Sequence, residues 1–354
     1  MRFDGGRNGW TPPPAAPVAP ERRSGRLPFA AVRPDYELIA VNGERLLLDG
    51  RPARQPIGRI CAVSYRAELQ PSAREVLSHL VTRHSAVVSR ARITGGRSVE
   101  DFEAAGAEDA VWSLASATAA AASLLGQHVR EVGGGALVDA VRVDTTGVAE
   151  RDIVVAVDAL PVSTAAELRT ALAGRNEAVL TVLRSGADGR PDAPRTVRLH
   201  RQPDGAWGIR VVTAHRQLEH GIRAEFDLPA DLRGPSLGLS CALSIVDACT
   251  GGTLAGGGTV VATGTVDLAG RVGGVGAIEY KARAVAAHPD VRRFVVPAES
   301  PEDVEDARRV LGGKAEVVAV TTLAEAVEVL RGLARRSGKL AHRSADRWPG
   351  AVMQ

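Results

Sequence analysis

The stretch GPSLGLSCALSIVDACTGG, residues 234–252, and the stretch ATGTVDLAGRVGGVGAIEYKARAVAA, residues 262–287, decide how the chain is read. Gly234 and Pro235 interrupt whatever precedes them, and from Leu237 onward Leu239, Cys241, Ala242, Leu243, Ile245 and Val246 leave almost no polar face. That pattern predicts a helix buried on nearly all sides. Ser236 then falls at or just before the first turn, where backbone N–H groups lack intrahelical partners and the helix dipole favours negative charge. A nucleophile placed there has an oxyanion site beside it. A serine there is also a good N-cap, and position alone does not choose between the two roles.

In the second stretch Ile278, Lys281, Ala282 and Val285 share one helical stripe by their three- and four-residue spacing. An ammonium on an apolar stripe is costly to bury in charged form, and desolvation lowers its pKa until the neutral amine is available as a base near neutral pH. The alternative is a lysine that snorkels from the edge of the core. A serine becomes nucleophilic only with a base within hydrogen-bond reach.

Composition excludes several classes of function. Hydrophobic residues make up 45 % and charged residues 24 %, as in ordinary globular proteins. The net charge is only +3 and arginine is spread along the chain, so no basic stripe marks a nucleic-acid partner. Aromatics, at 3 %, are too few for a base-stacking surface. Cys61, Cys241 and Cys249 are an odd number in a long chain and read as small buried hydrophobes, not as a disulfide framework. His215, Glu219 and His220 do not have a metalloprotease spacing, so no metal is expected. The glycine runs at 133–135 and 256–258, and Gly313-Lys314, match neither a dinucleotide fingerprint nor a P-loop, so no cofactor and no ATP site are expected.

Three separated motifs agree on one resemblance. The Ser236 helix, the turn TGTVDLAGRV at 263–272 and the following Lys281 helix, in this order and spacing, resemble the proteolytic domain of Lon proteases over roughly residues 208–332. The resemblance implies a Ser-Lys dyad with Ser236 as nucleophile and Lys281 as general base, Thr263 orienting the lysine, and Gly234 and Pro235 supporting the turn. It also implies a homo-oligomer. Two departures stand out: Arg233 and Leu237 flank the family's Gly-Pro-Ser core, and the family's Gly-Pro-x-Gly-Gly turn appears as Gly273, Gly274, Val275, Gly276 and Ala277. A bulky Leu237 beside the nucleophile is expected to narrow the primary pocket.

The rest of the chain divides into an expected disordered leader (1–27), an N-terminal α/β region (28–128), a β-rich domain (129–207), the proteolytic domain (208–333) and a disordered tail (334–354). In the N-terminal region, 36–41 and 45–48 flank Asn42-Gly43 as a hairpin would. Two helices follow, near 72–84 and from Ser98 through an alanine-rich run to Leu125. In the β-rich domain, AERDIVVAVDALPVSTAAELRTALA at 149–173 is similar to the strand, turn and groove helix of PDZ domains, which bind peptides by adding them to a sheet edge. LPFAAVRPDYELIAV at 27–41 and the long alanine-rich helix resemble the N-terminal region of bacterial PDZ-Lon proteases.

The expected fold class is therefore α+β multidomain, a PDZ-like β-rich domain followed by a Lon-type α/β proteolytic domain. The expected activity is an ATP-independent serine endopeptidase acting on a peptide or unfolded protein substrate. The alternatives are an impaired Lon-like fold serving as a peptide-binding or assembly platform, and acyl transfer to a non-peptide acceptor. With no signal peptide and no run of about 18 apolar residues, the chain reads as cytoplasmic as written. Membrane association is the alternative if an N-terminal anchor is missing from it.

Overall fold

The computed structural model describes residues 27–336 except 83, 144, 146, 185–192, 215–216 and 230–231. The expected leader (1–27, save Leu27), most of the expected tail and His215 lie outside the described residues. The chain forms two compact units, one from the residues up to His128 together with those from His220 onward, the other from Val129–Glu219.

The first unit begins with β1 (Phe29–Ala40), a 3-10 turn (Gly43–Arg45), β2 (Leu46–Leu48), β3 (Arg51–Pro52), β4 (Arg59–Glu68), α1 (Ala73–Val81), β5 (Ala86–Ser89), α2 (Arg90–Thr94) and α3 (Val99–Leu124). The expected hairpin across Asn42-Gly43 does not form. β1 pairs instead with β4 and β5, while β2 pairs with β3 and with a later strand. The left-handed Gly43 is used in a 3-10 corner, and the buried Asn42 side chain accepts from Ile60 N at 3.1 Å and donates to Gly58 O at 3.3 Å. Asn42 thus fastens the start of β4 and does not turn the chain back. Pro34, which has no N–H for a ladder, sits past the β5 pairing, where the β1–β4 register shifts. Ser72 and Glu75 close a capping box on α1, and the Ser98 hydroxyl accepts from Asp101 N to start α3.

The second unit comprises β6 (Arg130–Val132), β7 (Ala136–Val141), β8 (Ile153–Val157), β9 (Leu160–Pro161), α4 (Ala165–Leu172), β10 (Glu177–Leu183), β11 (Arg195–His200), β12 (Ile209–Thr213) and β13 (Gln217–Glu219). Its main sheet is antiparallel in the order β11-β10-β8-β7-β12, and α4 packs Leu168 and Leu172 onto the valines of that sheet. Residues 208–213 were expected in the proteolytic domain. Ile209–Thr213 instead is an end strand of this sheet, hydrogen-bonded to β7. β6 and β13 pair with each other, so the unit brings its own two ends side by side.

The first unit resumes with β14 (Ala224–Phe226), which joins β2, then a 3-10 turn (Pro235–Leu237), α5 (Gly238–Cys249), β15 (Thr259–Ala262), β16 (Thr265–Val266), β17 (Val272–Gly273), α6 (Ile278–Ala286), β18 (Val291–Pro297), α7 (Pro301–Leu311), β19 (Glu316–Val320) and α8 (Leu323–Arg336). α8 carries helix into the first residues of the expected tail. The main sheet runs β19-β18-β15-β4-β1-β5, with β19, β18, β15 and β4 mutually parallel. Residues before and after the second unit therefore share one sheet, and the N-terminal region is part of the same mixed α/β body as the Ser236 helix. Val261, Phe294 and Val296 from the strands meet Ile278, Val285, Ala307 and Leu311 from α6 and α7 in its core. Among the described residues no helix is long and apolar enough to cross a membrane.

One charge is sealed inside the second unit. Asp152 is fully buried and its carboxylate accepts from Arg184 Nε at 2.7 Å, Arg195 Nη2 at 2.8 Å and Ala149 N at 2.9 Å. Burial pushes its pKa up, but the two guanidinium groups and the amide outweigh burial and hold it below the usual carboxylate value. A depressed folded pKa contributes stability above the unfolded value of about 3.9 and loses it as pH falls further. Asp152→Ala is expected to cost about 2 kcal/mol through its lost charged hydrogen bonds, since Arg184 and Arg195 are each 39 % exposed and regain water. Thermal unfolding of the full chain at pH 7 checks this; an unchanged transition would contradict it.

Candidate active site

The site assembles beyond the C-terminal end of β15, where open parallel sheets place their binding crevices. β15 is central in the sheet, flanked by β4 and β18. The residue that follows it, Thr263, is fixed by Thr263 N donating to Val295 O at 3.0 Å. Gly264 N then donates to Ser236 O at 3.1 Å, and Leu239 N to Gly264 O at 3.0 Å, so the end of β15 and the start of α5 are laced together by their backbones.

The turn around Ser236 is built as its residues dictate. Gly234 has φ +82, which only glycine adopts without strain, and Pro235 opens the 3-10 turn at the position where a missing N–H costs nothing. Ser236 is half-buried in that turn. It is a residue of the turn, and its side chain makes no capping bond to α5. Leu237 is 3 % exposed, so its side chain lies within the protein. Arg233 is exposed.

The lysine is fully enclosed. Lys281 is 1 % exposed, sits on α6 between Ile278, Ala282 and Val285, and donates from Nζ to Thr263 Oγ1 at 3.1 Å. Burial alone drives its pKa down from 10.5 to about 7. Thr263 Oγ1 in turn donates to Ser236 O at 3.5 Å. Lysine, threonine and serine are thus linked in sequence, with Thr263 between the other two. Ser236 Oγ makes no hydrogen bond to Lys281 Nζ among the described residues, and contacts of this kind commonly tighten only when substrate binds.

Three features of this site were not read from the sequence. Gly106 O accepts from Gly234 N at 2.7 Å, and Ser113 Oγ donates to Pro235 O at 2.8 Å. Both come from α3, two turns apart on one face, and grip the turn from more than a hundred residues away in sequence. Gly238 supports the approach, since a Cβ there would come within 3.0 Å of Ser113 Oγ. The available signal was the run of small residues in α3, which allows another backbone to come close. The third feature is the conformation of Ala277, a residue already noted in the sequence as a departure from glycine: it enters α6 in the left-handed region at φ +63.

Comparison with known families agrees with this geometry at the level of class. Residues 225–332 match the family model of the Lon protease (S16) C-terminal proteolytic domain, which indicates a serine peptidase. The matched segment contains Gly234, Pro235, Ser236, Thr263 and Lys281 and leaves α3 outside. No curated protein matches the chain.

Two outcomes are expected. Because the folded pKa of Lys281 lies below its unfolded value, the unfolded chain binds the extra proton between about pH 7 and 10.5, and wild-type stability rises with pH through that window. Lys281→Met removes the titration, so the variant is more stable than wild type at pH 7 and the difference shrinks towards pH 10. A pH-independent difference in denaturant midpoint would refute the depressed pKa. Ala277→Gly relieves the left-handed alanine and is expected to stabilise by about 1 kcal/mol in the same assay; no gain would mean that the turn carries no strain.

Proposed function

We propose that the chain is an ATP-independent serine endopeptidase that uses Ser236 and Lys281 as a dyad. The observation that carries this reading is the lysine: an amine buried to 1 % exposure, with pKa about 7 and, among the described residues, one hydroxyl partner, is suited to act as a base and contributes little as a structural ion. In the proposed cycle, neutral Lys281 Nζ takes the proton from Ser236 Oγ and the oxygen attacks the scissile carbonyl carbon. Backbone N–H groups at the turn hold the oxyanion of the tetrahedral intermediate. Collapse expels the amine, which leaves with the proton from Lys281, and an ester to Ser236 remains. A water that gives its proton to Lys281 hydrolyses the ester and restores the serine. Thr263 keeps the amine oriented throughout.

ATP independence rests on the sequence of this chain, which offers no P-loop spacing. We also propose that the second unit is a PDZ-like peptide-binding module. β12 ends its sheet, and α4 lies alongside with Ala165 N donating to Thr213 Oγ1 at 3.0 Å and Arg169 Nη2 to Val211 O at 3.0 Å. An end strand beside a helix is the arrangement that accepts a peptide as an added strand.

The test is cleavage of fluorescein-labelled casein with and without ATP by wild type, Ser236→Ala and Lys281→Ala. Wild type is expected to cleave equally in both conditions, and each variant to lose several orders of magnitude in rate. The wild-type rate should climb with pH through about 7, standing at roughly a tenth of its plateau at pH 6. Activity surviving in Ser236→Ala would sink the dyad.

A further inference from the structure

An oxyanion is stabilised only by a donor aimed at it, so the direction of the N–H groups in the Ser236 turn matters as much as their presence. In a trans peptide the C=O and N–H point in opposite directions. The Pro235–Ser236 bond is trans, since the described chain has no cis peptide. Its oxygen, Pro235 O, accepts from Ser113 Oγ at 2.8 Å and from Gly238 N. Whatever holds that oxygen therefore sets the direction of the Ser236 N–H on the opposite side of the same plane. That N–H lies in the opening of the turn, where no intrahelical acceptor exists, and it has no backbone acceptor outside the turn among the described residues.

We infer that Ser113 on α3 is a positioning residue for the reaction: by holding Pro235 O it fixes the peptide plane that presents the Ser236 N–H to the oxyanion. This inference rests on the Ser236 and Lys281 reading above. The contrast with a neighbouring hydroxyl supports it. Thr118, in the same helix, donates to Leu114 O of its own helix at 2.8 Å, the usual fate of a hydroxyl in a helix interior. Ser113 is 5 % exposed and donates across to another segment instead, with little water to compete. The grip has two points, because Gly106 O holds Gly234 N at 2.7 Å from the same face of α3. The Pro235–Ser236 plane is held through its oxygen by Ser113 and Gly238 N, and Gly106 anchors the chain one residue before Pro235, so turning the plane would break the Ser113 hydrogen bond.

The test compares wild type, Ser113→Ala, Ser113→Cys and Thr118→Ala in the full chain, reading kcat and KM on fluorescein-labelled casein, the affinity of a peptidyl boronate, and Tm. The boronate adds to the serine oxygen and places an oxygen where the oxyanion would be. Ser113→Ala is expected to lose about 10- to 100-fold in kcat and a similar factor in boronate affinity, with KM within about twofold of wild type. Ser113→Cys keeps the shape with a weak donor, so it should fall between, and it decides the matter if Ser113→Ala does not fold. Thr118→Ala should keep wild-type kcat. Wild-type kcat in folded Ser113→Ala or Ser113→Cys, or a change confined to KM or Tm, would overturn the positioning role and leave the dyad standing. A folded wild type that neither cleaves casein nor binds the boronate would overturn the dyad and, with it, this inference.

Discussion

The ammonium of Lys281 is the constraint around which the first unit is arranged. A lysine at 1 % exposure gives up most of its hydration, and among the described residues it has one hydroxyl partner and no negative charge beside it to compensate. The fold withstands this because its surroundings cannot yield. α6 packs against the sheet and against α7, with Ile278, Ala282 and Val285 in the main core. Thr263 is tied to β18 through Val295 O and cannot swing away from Nζ. The same enclosure that costs stability leaves much of the amine unprotonated near neutral pH, so the destabilisation and the proposed role as a base have one physical origin.

Most elements were legible because they obey local rules. α1 and α3 run where two helices were expected, near 72–84 and from Ser98 to Leu125, with Ser72 accepting from Glu75 N and Ser98 from Asp101 N. Ser236, Thr263 and Lys281 were legible as types in a spaced pattern, and the chain brings them into one linked series. The failures were long-range. Asn42-Gly43 satisfies hairpin chemistry locally, yet the partner of β1 is β4 and the asparagine side chain goes to Ile60 and Gly58. IRVVT at 209–213 is a good strand by any local measure, and only its pairing with β7 shows which unit owns it. The role of α3 was hidden because alanine, serine and glycine announce close approach without naming the partner.

An insertion between α3 and β14 explains how such distant residues can meet. The chain leaves the first unit after His128 and returns at His220. Joining the two halves of the main sheet across the intervening residues would carry the entropy of closing a long loop. The second unit reduces that loss by pairing β6 with β13, where Arg130 Nη2 meets Glu219 Oε2 at 2.7 Å. Folding of the second unit alone brings residues 130 and 219 into register, and the first unit then needs to close only the short segments flanking them. Much of its pairing remains non-local, as with β4 beside β15, and is expected to form slowly compared with the helices.

The two halves of the first unit contribute different things to the site. Residues after the insertion supply the two groups proposed to exchange protons, Ser236 and Lys281, and the Thr263 hydroxyl between them. Residues before it supply none of these and act through backbone direction, with Gly106 and Ser113 holding Gly234 and Pro235. Proton chemistry tolerates small displacements of an amine on a flexible stem, whereas an oxyanion donor acts through the orientation of one rigid peptide plane. On this reading the aiming of that plane falls to α3, a 26-residue helix whose buried residues are all serine, threonine or alanine. That division also accounts for the extent of the family match. The segment 225–332 holds the side chains of the proposed dyad, while the groups that grip the turn are a glycine carbonyl and a serine hydroxyl, too common in type to leave a motif.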